Sequence, residues 1–262
     1  MKIPFTKAHG ARNDFLLSWS DDVPDAGRSA VARALCDRHS GVGADGWIVI
    51  SRVPNADAAI ELWNSDGSSS EISGNGTRCA AALVMQSDNG DDVRIRTGAG
   101  LKHLRLLSRA GRVYSFEMNM GQPVIEELHV TGQGCDATIL NVGNPQCAVF
   151  VPDLSLDWRT IGARIERDPR FPNRTNVSFI RVLDRHTIDV RFFERGAGET
   201  MSSGTGSTGA AAAAVARGLV TPPVEVRTEA GPLAVRWQGD DVFLAGPAEI
   251  VAAGEFYFSQ GE

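Results

Sequence analysis

Two short segments carry residue types suited to chemistry on a small anion. Ser73-Gly74-Asn75-Gly76-Thr77-Arg78-Cys79-Ala80 and Ser203-Gly204-Thr205-Gly206-Ser207-Thr208-Gly209-Ala210 share a Ser-Gly-x-Gly turn opening into an Ala-rich stretch, at an offset of 130 residues. The alanines predict helices, so both turns are helix starts. The first backbone N–H groups of a helix lack partners and carry partial positive charge, which suits carboxylates and phosphates. Glycine lets a ligand come close to the backbone. Serine is also a leading N-cap residue, which would make Ser73 and Ser203 purely local features. A cap alone gives no reason for the same Gly-x-Gly in both halves. Two such starts, one per half, suit a single small ligand and chemistry from two opposite sides.

Asn13, Asn64, Asn144, Asn176, Glu194 and Arg195 fall in loops or at strand ends. Each alone reads as a turn or surface residue. Together they supply what a zwitterionic amino acid needs: Arg and N–H donors for its carboxylate, Glu and amide oxygens for its ammonium. Asp45, inside Gly41-Val42-Gly43-Ala44-Asp45-Gly46, reads first as a turn residue. Gly204 to Gly209 spells G-x-G-x-x-G, but a dinucleotide fingerprint must directly follow a strand. Here the last strand-like residue is near Phe193, and Gly41 to Gly46 satisfies the same bare pattern. Dinucleotide binding is therefore set aside.

The elements that must hold these groups repeat along the chain. Val93 to Gly100 resembles Val224 to Gly231, Ala59 to Trp63 resembles Asp189 to Phe193, and Gly10 to Asn13 pairs more weakly with Asn141 to Asn144. A collinear repeat this long indicates two similar domains rather than a solenoid. Helical spacing appears at Gly27 to Arg38 and Trp158 to Glu166, besides the two Ala-rich helices. The remaining apolar runs read as short strands. The expected fold is α+β, with two pseudo-symmetric domains, each a curved, mostly antiparallel sheet around a central helix. The expected domains are 1–115, joined by 249–262, and 116–248.

Composition narrows the partners. The chain has 262 residues, 42% hydrophobic and 22% charged, as in ordinary globular proteins. Its net charge is −6 and it has no basic block, which argues against nucleic acid. The N-terminus lacks a signal-peptide apolar core, and the longest apolar run, Ala210 to Ala216, is too short to span a bilayer. Cys36, Cys79, Cys135 and Cys147 form no C-x-x-C pair, so they read as reduced thiols with no zinc site. The expectation is a cytoplasmic protein with a small-molecule partner, no membrane or nucleic-acid partner and no metal. Monomer and homodimer both remain open.

These segments together resemble the diaminopimelate epimerase family. The resemblance rests on His9-Gly10-x-x-Asn13-Asp14-Phe15, Arg38-His39-x-Gly41-x-Gly43-Ala44-Asp45-Gly46, Asn64-x-Asp66-Gly67-Ser68, Gly74-Asn75-Gly76-Thr77-Arg78-Cys79, Thr97-Gly98-Ala99-Gly100, Gly143-Asn144-Pro145, Thr175-Asn176-Val177, Glu194-Arg195-Gly196-x-Gly198-Glu199-Thr200 and Ser203-Gly204-Thr205-Gly206. It implies two similar halves facing a cleft, and inversion of an amino-acid α-carbon without pyridoxal phosphate or another cofactor. It further implies a role in lysine and cell-wall precursor synthesis, with LL- and meso-diaminopimelate as the interconverted pair. Asn13, Asn64, Gly74, Asn75, Asn144, Asn176, Glu194, Arg195, Gly204 and Thr205 match the family's substrate-binding positions.

The departures fall at the chemistry. The family uses two cysteines as acid and base, and those positions are Ser73 and Ser203 here. The family's histidine after Gly-Asn-Pro is Gln146, and its glycine before the first Asn is Arg12. A thiol at a helix start can reach a pKa of about 3.5–7.5. A hydroxyl is far less acidic, and a helix dipole worth at most about 2 kcal/mol cannot close that gap. A serine then needs another group to take its proton. Glu194, Glu71 and Glu199 are the candidates. Two other readings stay open: a relative that binds an amino acid without turnover, and an isomerase with a different substrate.

Overall fold

The computed structural model describes residues 1–87, 90–132 and 135–259. The chain divides into two compact units, Met1–Met118 with Gly246–Glu262, and Asn119–Ala245. Both are α+β.

The first unit contains β1 (Lys2–Gly10), β2 (Asn13–Trp19), β3 (Gly46–Ser51), β4 (Ala58–Asn64), β5 (Ser69–Ser70), β6 (Asp92–Thr97), β7 (Gly100–Ala110) and most of β8 (Val113–Gly121). Its helices are α1 (Arg28–Cys36) and α2 (Gly74–Val84). The second unit contains β9 (Val124–Gly132), β10 (Cys135–Asn141), β11 (Pro145–Phe150), β12 (Asn176–Asp184), β13 (Thr187–Glu194), β14 (Gly198–Thr200), β15 (Val224–Thr228) and β16 (Gly231–Gln238). Its helices are α3 (Trp158–Glu166) and α4 (Gly204–Ala216). A last strand, β17 (Asp241–Tyr257), pairs first with β16 and then with β1.

The repeat is a repeat of pairing. In the first unit β1–β2 and β3–β4 are antiparallel, β2–β3 and β4–β6 are parallel, and β6–β7 is an antiparallel hairpin. In the second, β10–β11 and β12–β13 are antiparallel, β11–β12 and β13–β15 are parallel, and β15–β16 is the hairpin. The two hairpin turns are built alike. Thr97 Oγ1 donates to the Gly100 carbonyl and accepts from Ala99 N–H at 3.1 Å. Thr228 Oγ1 does the same with Gly231 and Ala230. Gly100 and Gly231 take φ of 92° and 119°, which L side chains rarely adopt.

Sequence patterning explains the central helices. Every residue of α2 from Gly74 to Leu83 is buried, as is every residue of α4 from Gly204 to Ala214. A helix enclosed on all sides needs small side chains all round rather than one apolar stripe. The second glycine of each Gly-x-Gly serves this packing. A Cβ on Gly76 would lie 2.9 Å from Ile48 Cδ1, and one on Gly206 would lie 2.8 Å from Phe192 Cδ1. Phe192 is fully buried and cannot swing away. Gly206→Ala is therefore expected to destabilise: overpacking costs about 1–3 kcal/mol, more than the roughly 1 kcal/mol returned by alanine's helix propensity. Urea denaturation checks the sign.

The outer helices α1 and α3 cover the opposite sheet faces. Val31, Ala32, Leu35 and Cys36 of α1 pack with Ile3, Leu16, Trp47 and Val49. Trp158 and Ile165 of α3 pack with Cys147, Val149, Val177 and Phe179. This two-sided covering is why β3 carries the uninterrupted apolar run Trp47-Ile48-Val49-Ile50.

Strand β9 and the long extension of β17 to Tyr257 go beyond the strands legible in the sequence. β17 alternates regularly in burial as far as Ile250 and is then exposed at five successive residues from Val251 to Glu255.

Candidate active site

Ser73 and Ser203 are N-caps in near-identical geometry. Their φ/ψ are −130°/122° and −137°/125°, and each Oγ accepts from the N–H three residues on, Gly76 and Gly206, at 3.1 Å. The local reading of these serines is therefore correct as far as it goes. At Ser203 the geometry goes further. Its hydroxyl accepts from Gly206 and donates to Glu194 Oε2 at 2.8 Å. Thr200 Oγ1 donates to the other carboxylate oxygen at 2.6 Å. Glu194 ends β13, Thr200 ends β14 and Ser203 caps α4, so paired strands and a helix start bring these three together.

Among the described residues the first unit has no such arrangement. The position matching Glu194 in the repeat is Asn64, whose Nδ2 donates to Ser68 Oγ at 3.0 Å. Among the described residues, Ser73 Oγ has the Gly76 N–H as its partner. The other two carboxylates lie elsewhere. Glu199 is forked onto Arg159 with two contacts of 2.6 Å, which hold its carboxyl below the usual range. Glu71 is exposed, and its backbone carbonyl accepts from Ala99.

The amides form two local chains. In the first unit Asn75 Nδ2 donates to Asn13 Oδ1 at 3.2 Å, and Asn13 Nδ2 donates to Asp45 Oδ2 at 2.7 Å. Asp45 also accepts from Arg38 Nη2 at 2.8 Å, and Arg38 forks onto Asp14. Asp45 is thus more than a turn residue. Burial pushes the Asp14 carboxyl upward, but Arg38 and Lys7 outweigh it and its pKa falls below the usual value. Asp14 therefore contributes stability above the unfolded carboxylate pKa of about 3.9, and this is lost as pH falls through the lower folded value. In the second unit Asn144 Nδ2 donates to Thr205 Oγ1 at 3.3 Å, and Asn144 Oδ1 accepts from Gln146 Nε2 at 2.7 Å. Asn176 Nδ2 donates to the Pro145 carbonyl, and its Oδ1 accepts from Arg195 N–H at 3.1 Å.

Gln146 is buried, with Oε1 unpartnered. A Cβ on Gly209 would lie 3.1 Å from Gln146 Cγ. The third glycine of the apparent dinucleotide fingerprint thus makes room for this glutamine. Arg12 sits at the β1–β2 turn with φ of 59°, beside Ala11 at 49°. A two-residue hairpin turn with both φ positive favours glycine, which explains the family's usual choice there. The buried thiols are no substitutes for the serines. Burial pushes Cys36 and Cys79 up to about 12. Gly74 and Gly204 begin the two helices. Arg78, Thr200 and Gln146 were not among the ligand candidates from sequence. The available signal was one charged residue inside an Ala-rich helix, a glutamine two places after Asn144 and a threonine three places before Ser203.

Comparison with known proteins decides the family. The family model described as diaminopimelate epimerase matches residues 5–126 and 138–251. The chain belongs to the diaminopimelate epimerase family. The diaminopimelate epimerase of Pelotomaculum thermopropionicum is 39% identical over 96% of this chain and 98% of its own length. That of Moorella thermoacetica is 37% identical, with the same coverage. Among solved structures, a hydroxyproline epimerase from Agrobacterium vitis with bound trans-4-hydroxy-L-proline aligns with a TM-score of 0.75 at 17% identity, covering 97% of this chain and 92% of that one. A Bacillus anthracis phenazine biosynthesis protein of the PhzF family aligns at 0.77 and 13% identity, covering 98% and 100%. These two likenesses concern the fold alone. Membership places the chain among isomerases of the amino-acid racemase and epimerase class, and the paired Ser-Gly-x-Gly helix starts fall within the matched segments. Among the described residues, no helix is long and apolar enough to cross a membrane.

Proposed function

We propose that this protein interconverts LL- and meso-diaminopimelate by proton transfer at Cα, without a cofactor, using Ser203 with Glu194 as the proton acceptor and Ser73 as the proton donor. The observation that carries this reading is the Ser203 hydroxyl directed at Glu194 Oε2, 2.8 Å away. Family membership supplies the reaction class. When the Cα–H bond breaks, the proton passes to Ser203 Oγ as the hydroxyl's own proton passes to Glu194. Ser203 then need never carry a full negative charge, which removes the acidity problem on that side, while Ser73 regains from solvent water the proton that it gives to Cα. Backbone N–H groups at Gly74, Asn75, Gly204 and Thr205 suit the α-carboxylate and the charge that develops beside it. Glu194 and Arg195, with Asn13, Asn64, Asn144 and Asn176, complete substrate recognition.

The test is mass-spectrometric detection of α-deuterium in a panel of amino acids incubated with the protein in D₂O. Incorporation into diaminopimelate above the other amino acids is the expected result. Incorporation into another amino acid instead would reassign the substrate. One observation favours a second reading, binding without turnover: among the described residues Ser73 has no carboxylate like that of Ser203. Tight binding of diaminopimelate without deuterium incorporation would establish it.

A further inference from the structure

Arg78 is the outlier of the first unit. It is 0% exposed, in the second turn of an otherwise small-residue helix. Its Nε donates to the Pro247 carbonyl, its Nη2 donates to Asn75 Oδ1, and its Nη1 has no partner. Among the described residues no carboxylate pairs with it. Burial lowers its pKa to about 10, so it stays protonated at neutral pH. A buried charge without a counter-ion is costly and needs a reason. The matching position in the second unit is Thr208, which bonds back to the Gly204 carbonyl at 2.9 Å.

We infer that Arg78 is a positioning residue that fixes which edge of Asn75 and of Asn13 donates to a ligand, and that it adds an uncompensated positive charge at the start of α2. The argument is one of hydrogen-bond polarity. A guanidinium only donates, so Asn75 must turn Oδ1 toward it. Asn75 Nδ2 then faces Asn13 Oδ1, and Asn13 Nδ2 faces Asp45. An ionised carboxylate only accepts, so both ends of the chain impose the same polarity. Each carboxamide spends one N–H in the chain and keeps a second for a ligand. Neither asparagine can flip to present its oxygen without breaking two bonds. The missing counter-charge of Arg78 suits a ligand carboxylate at the N-terminus of α2, where the helix dipole acts in the same direction. Without Arg78 the same Gly-Asn-Gly turn would be electrically weaker and its amides free to flip. The ligand part of this inference rests on the proposed function; the amide lock does not.

The experiment is NMR hydrogen exchange on the side-chain carboxamides of the ligand-free protein, with Arg78→Gln and Arg78→Lys beside it. In the unaltered protein, Asn75 and Asn13 carboxamide protons should exchange at least about tenfold more slowly than those of the exposed Asn55. Arg78→Gln, which can donate or accept, should lose that protection. Arg78→Lys, a pure donor with the same charge, should keep most of it. Equal exchange at Asn75 and Asn55 in the unaltered protein overturns the inference even if Arg78→Gln does not fold. So does a folded Arg78→Gln with protection unchanged. In the ligand arm, diaminopimelate should bind at least about tenfold more weakly to Arg78→Gln than to Arg78→Lys. 1,5-Diaminopentane, which keeps both amines at the same spacing and lacks the carboxylates, should not distinguish them. If diaminopimelate fails to bind the unaltered protein, the proposed function fails while the amide lock is judged on the ligand-free data.

Discussion

Ser73→Cys combined with Ser203→Cys is expected to accelerate α-proton exchange and inversion of diaminopimelate by about 10²–10⁴-fold, the range that a well-matched general acid–base pair contributes. Both serines already sit where a thiolate would be stabilised. Each Oγ accepts the N–H of a Gly in the first helical turn at 3.1 Å, in matching backbone geometry. Such a site can bring a thiol to a pKa of about 3.5–7.5, close to the working pH. A hydroxyl gains the same stabilisation from a far less acidic start. The two single variants should differ. Among the described residues Ser73 has no carboxylate partner, so Ser73→Cys alone should raise inversion more than exchange. Ser203→Cys replaces a hydroxyl that already has Glu194, so its separate gain should be smaller. Rates of exchange by mass spectrometry and of inversion by chiral chromatography check both. A folded double variant with no gain would mean that the substrate is a different molecule.

The second large effect is a loss. Glu194→Gln removes the acceptor for the Ser203 proton while keeping the side chain's shape, and exchange should fall by about 10²–10⁴-fold, equivalent to about 3–5 kcal/mol of barrier. Ser203→Ala should cost a similar amount. Because the two groups act as one unit, the double variant should be little worse than either single one. Additive losses would mean that the two groups act separately. Glu199→Gln provides the contrast: its carboxylate is engaged with Arg159, so exchange should be nearly unaffected.

Much of this was legible before the structure. The paired Ser-Gly-x-Gly turns, the Ala-rich helices and the Thr-x-Ala-Gly hairpins each follow from local chemistry: a cap, an enclosed helix, a turn needing positive φ. Those features depend on near neighbours, so sequence carries them. The tie between Ser203 and Glu194 spans nine positions and depends on how β13, β14 and α4 meet, so sequence offered three glutamates and could not choose. Arg78 was hidden differently. Its partners, Asn75 and the Pro247 carbonyl, lie 3 and 169 positions away, and only burial shows that its charge stands unpaired. Strand β17 keeps its buried alternation as far as Ile250 and loses it beyond, where its pairing with β1 leaves successive residues on both faces exposed.

The central claim is that Ser203 and Glu194 together receive the α-proton, while Ser73 has no equivalent partner among the described residues. Incubation of the unaltered protein with LL- and with meso-diaminopimelate in D₂O, followed by proton NMR, tests it most directly. Loss of the α-proton signal and appearance of the other diastereomer are measured in the same sample. The account predicts that one face exchanges faster than the centre inverts, so that deuterium enters with retained configuration. Exchange and inversion at equal rates from both diastereomers, or no exchange after prolonged incubation with excess protein, would contradict it.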